Sequence, residues 1–290
     1  MDEGTAPARA AKKLEITHTV GDAFTSITDN FRAFLKIAAV PGLIFIFIGL
    51  APFLPLLLWQ AGYPGLAGGL SPALDVAALL ISYFAGIYFA VAWHRHLLLG
   101  GAPRVFSAWH KPHWRFLLYT ILFMVLPWVA VMLVTFTLIA PGIGRGLHLG
   151  WPGTFLLLAG FAVGLWLWLR ISLVYPGAAV GAEGYGVKQA WQDTRGNVWR
   201  LVLVMLLVFL PVGIVLWIAS FLVANALISP QGIAGGAVML ILYSVIFLAI
   251  QIWLLGVTVS IFSSAFRQLA TWAAPSSPAS PATQAGGFAG

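Results

Sequence analysis

Residues 201–266 read LVLVMLLVFLPVGIVLWIASFLVANALISPQGIAGGAVMLILYSVIFLAIQIWLLGVTVSIFSSAF and contain no Asp, Glu, Lys or Arg. A bilayer span needs about 20 predominantly apolar residues, whereas an apolar run of about 10–14 fits a soluble core helix. The stretch has room for two spans and a turn, which places the chain among integral membrane proteins. Composition agrees: of 290 residues, 61% are hydrophobic and 8% charged, against about 25% charged in soluble domains. What remains between the apolar runs is too short for a soluble catalytic domain. The chain has no cysteine, which excludes disulfides, thiolate nucleophiles and Cys-based metal sites.

The same reading applied outward predicts spans at 37–59, 74–93, 116–140, 151–170, 201–228 and 237–262, with Pro41, Pro127 and Pro211 inside three of them. Each is long enough to cross about 30 Å of hydrocarbon at about 1.5 Å per residue. None alternates apolar with polar residues, so a strand barrel is excluded. The predicted fold class is all-α, a polytopic membrane protein of six transmembrane helices. Residues 1–16 form a polar N-terminal tail without the short apolar core of a cleaved leader, so the first span is expected to act as its own targeting signal. Residues 17–272 form the membrane domain. The tail 273–290, rich in Pro, Ser, Ala and Gly, is expected to be disordered because it cannot bury enough surface to offset ordering entropy.

The net charge of +7 resembles a nucleic-acid signal, but its placement argues for a membrane. Fourteen of the 15 Lys and Arg lie in the N-terminal segment, the second-to-third and fourth-to-fifth loops with their borders, and the C-terminus; Arg145 alone lies on the other side. By the positive-inside rule both termini are cytoplasmic, and no nucleic-acid partner is expected. Trp93, Trp109, Trp114, Trp191, Trp199 and Trp272 cluster at the predicted cytoplasmic interface, where amphipathic rings are favoured.

A unit recurs. Thr19–Asn30 precedes the first span and Gly186–Asn197 precedes the fifth, aligning Ala23-Phe24 with Ala190-Trp191 and Asn30 with Asn197. In the first copy Val20, Phe24, Ile27 and Phe31 share one helical face and Asp22, Ser26 and Asp29 another, the pattern of an interfacial amphipathic helix. A weaker copy, Phe106-Ser-Ala-Trp109 with Trp114-Arg115, precedes the third span, and Trp93-His-Arg95 and Trp168-Leu-Arg170 close the second and fourth. The six spans are therefore expected to form three hairpins, each preceded by a cytoplasmic interfacial amphipathic helix.

These stretches, with Arg170-Ile-Ser-Leu-Val-Tyr-Pro176, Lys188-Gln-Ala-Trp191 and Thr194-Arg-Gly-Asn197-Val-Trp, carry a resemblance. The chain from about Thr17 to Arg267 resembles the six-helix bacterial membrane domain fused to some glycerophosphoryl diester phosphodiesterases, and its uncharacterised stand-alone membrane-protein relatives. The resemblance implies a multi-pass protein of the bacterial inner (cytoplasmic) membrane. It implies no reaction, because in the fused proteins the active site lies in the soluble partner.

Two residue sets are candidates for function. His94, His96, His110 and His113 lie close together in sequence. Histidine suits transition metals or a tetrapyrrole, but no acid accompanies these four as ligand or orienting group, so a polar cytoplasmic rim is expected, with no metal and no cofactor. Arg95, Arg170 and Arg267 end the even spans, with Asp29 and Asp193 in the flanking helices. The arginines are expected to cap helix C-terminal carbonyls and anchor the interfacial helices through these acids, or else to hold anionic lipid head groups. Asn225 and Gln251 are expected to hydrogen-bond between helices. No Asp, Glu or Lys falls at mid-membrane depth, where coupled transporters usually keep one, and no phosphate loop or zinc-protease motif is present. The expected role is non-catalytic: a scaffold, assembly or envelope-homeostasis protein contacting other membrane proteins or anionic lipids. The alternative is a permease or lipid-handling protein with an uncharged substrate pathway.

The topology is directly testable. Single cysteines at Gly68 and Gly235 are expected to react with an impermeant thiol reagent on intact cells, and one at Ser107 to react only after lysis; the reverse pattern overturns the orientation.

Overall fold

A computed structural model describes residues 12–51, 63, 72–100, 109–134, 151–228 and 233–272. The two tails, most of the inter-span loops, residues 135–140 of the predicted third span and Phe106 of the weak repeat lie outside the described residues. Among those described there is no strand. The helices are α1 (Ile16–Asp29), α2 (Phe31–Leu50), α3 (Pro72–Leu99), α4 (Lys111–Val134), α5 (Trp151–Ile171), α6 (Val174–Val180), α7 (Val187–Asp193), α8 (Val198–Ile228) and α9 (Ile233–Leu269). Among the described residues five segments are long and apolar enough to cross a membrane: Phe31–Leu50, Val76–Leu99, Leu158–Val180, Val198–Val223 and Ile241–Leu269. Together they suggest a multi-pass membrane protein.

Several helices overrun their predicted ends. The predicted second span stops at Trp93, but α3 continues to Leu99 and ends at Gly100, whose φ of 66° is the left-handed conformation that glycine adopts at a helix end. Nothing between Trp93 and Gly100 breaks a helix. Ile87, Ala90, Val91 and His94 therefore form one buried stripe at helical spacing. At the same end of the bundle, α9 runs to Leu269, past the predicted 262. Its last turns carry Ser260, Ser263, Ser264 and Gln268 into contact with neighbours.

Glycine notches fix the contact between α2 and α9. A Cβ on Gly42 would lie 3.3 Å from Ile252, one on Gly49 2.6 Å from Leu248, and one on Gly256 2.5 Å from Phe34. Lipid tails are as apolar as leucine, so helices in a bilayer associate through close fit and internal hydrogen bonds, and small residues at the contact permit both. Phe34 fills the Gly256 notch and meets Phe89 and Trp93 of α3 edge-on, at centroid distances of 5.7 and 5.5 Å. One ring thus joins α2, α3 and α9.

The helix before α2 lies against α9. Thr19, Ala23 and Ile27 are its buried residues, and Phe31, assigned by spacing to the apolar face, is 52% exposed. Asp22, assigned to the polar face, accepts from the Ser264 hydroxyl at 2.7 Å and pairs with Arg267 at 3.5 Å and His18 at 3.3 Å. A polar side chain faces the bundle here because α9 offers it donors. The N-terminal segment is also held at a distance in sequence. Asn197 accepts from the Leu14 N–H at 2.9 Å and donates to the Lys12 carbonyl at 2.8 Å, Arg200 donates to the Leu14 carbonyl at 2.8 Å, and the Leu14 side chain is fully buried.

Replacing Gly256 with Leu is expected to displace Phe34 and cost about 1–3 kcal/mol, as overpacked cores do. Gly213→Leu, where an added Cβ meets nothing within 4 Å, is expected to leave stability unchanged. Thermal unfolding of the two variants in detergent checks both, and equal stability would remove the notch as an organising contact.

Candidate functional site

The bundle forms an open-sided cavity of about 470 Å³ between α2, α3, α4, α5, α6 and α9. Its walls are mostly apolar: Phe45, Leu79, Ile87, Phe123, Leu255 and Phe262. Hydroxyls and one imidazole interrupt them, from Ser82, Tyr83, His94, Thr120, Tyr175 and Thr258. This is the usual make-up of a small-molecule site, a concave apolar space of about 300–1,000 Å³ with a few placed polar groups.

Two of the polar groups are held by their own helices. The Thr120 hydroxyl donates to the Phe116 carbonyl at 2.7 Å and that of Thr258 to the Leu254 carbonyl at 2.7 Å. These i−4 bonds leave the hydroxyl oxygens with acceptor capacity. Tyr175 stands on α6, a short helix buried along its length, within hydrogen-bonding reach of Thr120 and Trp168. The Tyr83 hydroxyl is buried beside Thr120 without closing a hydrogen bond to it. An unpaired buried hydroxyl is costly, and a guest that accepts from it would recover that cost. His94, 1% exposed, binds Ser263 Oγ through Nδ1 at 2.8 Å and contributes to the cavity wall.

Burial divides the four histidines, which corrects the expectation of a common rim. His94 and His113 are interior, His96 is half-buried and stacks on Trp93 at 5.4 Å, and His110 is exposed. The reason is the extra turn of α3, which keeps His94 on the buried stripe. His113 stacks on Tyr88 at 5.7 Å and accepts the His110 N–H at its Nδ1, 3.2 Å away. Burial, and then the charges of His110 and Arg95, hold the His113 imidazole below its ordinary value of 6.5. Among the described residues no three of His, Asp and Glu converge as a metal-binding set.

The arginines and acids are placed differently from the expected pairs. Arg95 donates to the Ala179 carbonyl at 3.1 Å, at the C-terminal end of α6. Arg267 meets Asp22, not Asp29, and Asp29 takes a weak bond from Thr28 beside it. Asp193 accepts from the Tyr185 hydroxyl at 3.0 Å and from the Thr271 N–H at 3.1 Å. Burial, and then the facing Asp193 carboxylate, push the Tyr185 phenol well above its ordinary value of 10.0, so it stays protonated and donates. Arg170 lies 4.6 Å from the Trp191 ring centroid and 5.9 Å from that of Trp166. Asn225 bonds back to the Phe221 carbonyl of its own helix.

Sequence reasoning missed Tyr83, Thr120 and Tyr175, and the serines of α9. A signal was present: Ser260, Ser263 and Ser264 stand at i, i+3 and i+4 in an otherwise apolar helix, the spacing of one interhelical face. Ser260 accepts the Trp93 indole N–H at 3.0 Å. No protein-family model, curated protein or solved structure matches the chain.

The His113 shift carries a sign. The unfolded chain binds a proton at His113 more readily than the folded one, so this contribution is full above the ordinary value and is lost as pH falls below it. His113→Asn keeps an acceptor for the His110 N–H and cannot protonate. The variant is expected to lose less melting temperature than the parent on moving from above pH 7 to about pH 5. Parallel melting curves checked across that window would discard the assignment.

Proposed function

We propose that this chain is a six-span protein of the bacterial inner membrane that binds an uncharged amphiphile, and that it handles lipid-like molecules without chemically transforming them. The observation that carries this is the cavity, where the buried, unbonded Tyr83 hydroxyl and His94 sit within apolar walls. Such a site fits a hydrocarbon chain ending in a hydroxyl, carbonyl or ester oxygen. No charged side chain lines it, which matches an uncharged pathway.

The finer topology belongs to the same proposal. The consecutive pairs α2–α3, α4–α5 and α8–α9 pack against each other, which supports three hairpins. The helices α1 and α7 precede two of these pairs and stand where the interfacial helices are expected. Hydrogen bonds join the C-terminal turns of α3 and α9, so Arg95 and Arg267 share one end of the bundle. This supports a single basic face, cytoplasmic by the positive-inside rule.

A second reading, a scaffold that docks other membrane proteins on this basic rim, is favoured by the exposure there of Trp114 and Trp199, the latter 76% exposed. The two separate in one experiment. Protein extracted into lipid-preserving discs is expected to carry one enriched uncharged lipid species. Gly86→Leu, which projects from the cavity wall, is expected to abolish the enrichment. Tyr83→Phe is expected to weaken it roughly three- to tenfold, the worth of one neutral hydrogen bond. A stoichiometric protein partner with no enriched lipid overturns the lipid-handling reading in favour of the scaffold.

A further inference from the structure

A second apolar space lies on the far side of α5. Trp168 faces the central cavity, whereas Leu165 and Leu169 line a groove of about 500 Å³ between α5 and α8, closed by Met205, Phe209, Gly213 and Trp217. Its lining is almost wholly apolar, and it lies along two helices long and apolar enough to span a membrane. The two helices are in contact with each other, and the groove runs along their seam from Leu169 and Val202 to Trp217.

The groove ends beside two unneutralised cations. Leu169 is followed directly by Arg170. The Thr194 hydroxyl donates to the Arg170 carbonyl at 2.6 Å, which holds the next residue, Arg195, near enough for the two positive charges to act on each other. Among the described residues neither arginine has an ion pair, since the ion pairs found there join Asp22 to His18 and Arg267. The Arg170 Nε is buried and lacks a hydrogen-bond partner, while its guanidinium lies beside Trp166 and Trp191. Two like charges held together with an open donor call for an anion, and a guanidinium fork suits a phosphate oxygen pair. Trp191 lies beside the Arg170 guanidinium, and aromatic side chains of this kind favour the depth of the head groups.

We infer that this groove is a binding site for an anionic phospholipid, its phosphate between Arg170 and Arg195 and an acyl chain along Leu165, Leu169 and Gly213. Charge and hydrocarbon must be recognised together, so neither free phosphate nor a zwitterionic lipid satisfies the site. The site is separate from the central cavity, and its test leaves that cavity untouched.

The experiment is native mass spectrometry of the purified full chain after exchange into discs of phosphatidylcholine with a minor share of phosphatidylglycerol. One phosphatidylglycerol is expected to be retained in preference to phosphatidylcholine. Arg195→Gln, at an exposed side chain, and Arg170→Gln are each expected to lower that retention by roughly fivefold, and together by roughly tenfold or more. Gly213→Phe fills the groove where an added Cβ meets nothing and is expected to lower it as well, with both charges intact. If Arg170→Gln fails to fold, the other two variants decide. Equal retention of both lipids, unchanged retention in both Arg195→Gln and Gly213→Phe, or displacement of the lipid by inorganic phosphate overturns the site.

Discussion

The fold turns on one ring in one notch. Phe34 occupies the space that Gly256 leaves on α9, and its edges meet Phe89 and Trp93 of α3. In water such a cluster would be driven together by the loss of apolar hydration. In a bilayer that drive is absent, and contact area counts only if the fit is closer than a lipid chain can offer. The three glycines of the α2–α9 contact supply that fit, and Ile252, Leu248 and Phe34 are the knobs they receive. The central cavity depends on this arrangement, because α2, α3 and α9 form three of its walls.

Hydrogen bonds then fix orientation and register. Ser260 holds the Trp93 indole and Ser263 the His94 imidazole, which pins the last turns of α3 to α9. Ser264 and Arg267 hold Asp22, and Gln268 holds Thr19, which pins α1 to the adjoining face. These are short side chains making short bonds, so they tolerate little rotation of α9. The Tyr83 hydroxyl, in contrast, is left unpaired inside the same bundle. Among the described residues three buried polar atoms lack a partner: the Tyr83 hydroxyl at the cavity, the Arg170 Nε beside the α5–α8 groove and the Trp109 indole N–H.

The class of fold was legible because charge-free length is a direct physical signal. Nothing but a bilayer tolerates the run from Leu201 to Phe266. Helix ends were less legible: the rule that counts apolar residues stops at His94 and Arg95, whereas the backbone stops only at Gly100. That difference moved His94 from the rim to the interior. Charge pairing was less legible still. Spacing placed Asp29 and Asp193 opposite the arginines, but partners depend on the rotation of each helix, and the rotation of α1 is set by donors on α9, Ser264 lying 242 residues from Asp22 in sequence. Hydroxyl side chains in apolar spans carry almost no pattern of their own, so Tyr83, Thr120 and Tyr175 became a set only when the helices that hold them were brought together.

The grip of Asn197 and Arg200 on Lys12 and Leu14 has a consequence for the order of events during synthesis. Chains emerge N-terminus first, so α1 and the residues just before it find their anchors only when α8 and α9, made long after them, are in place. Until α8 and α9 are inserted, α1 has neither the carboxamide that holds its leading residues nor the serine face that holds Asp22. The first helix is thus the last to settle. A ribosome that stops after α5 leaves behind a product whose beginning betrays the missing end, with α1 loose at the surface and open to a protease.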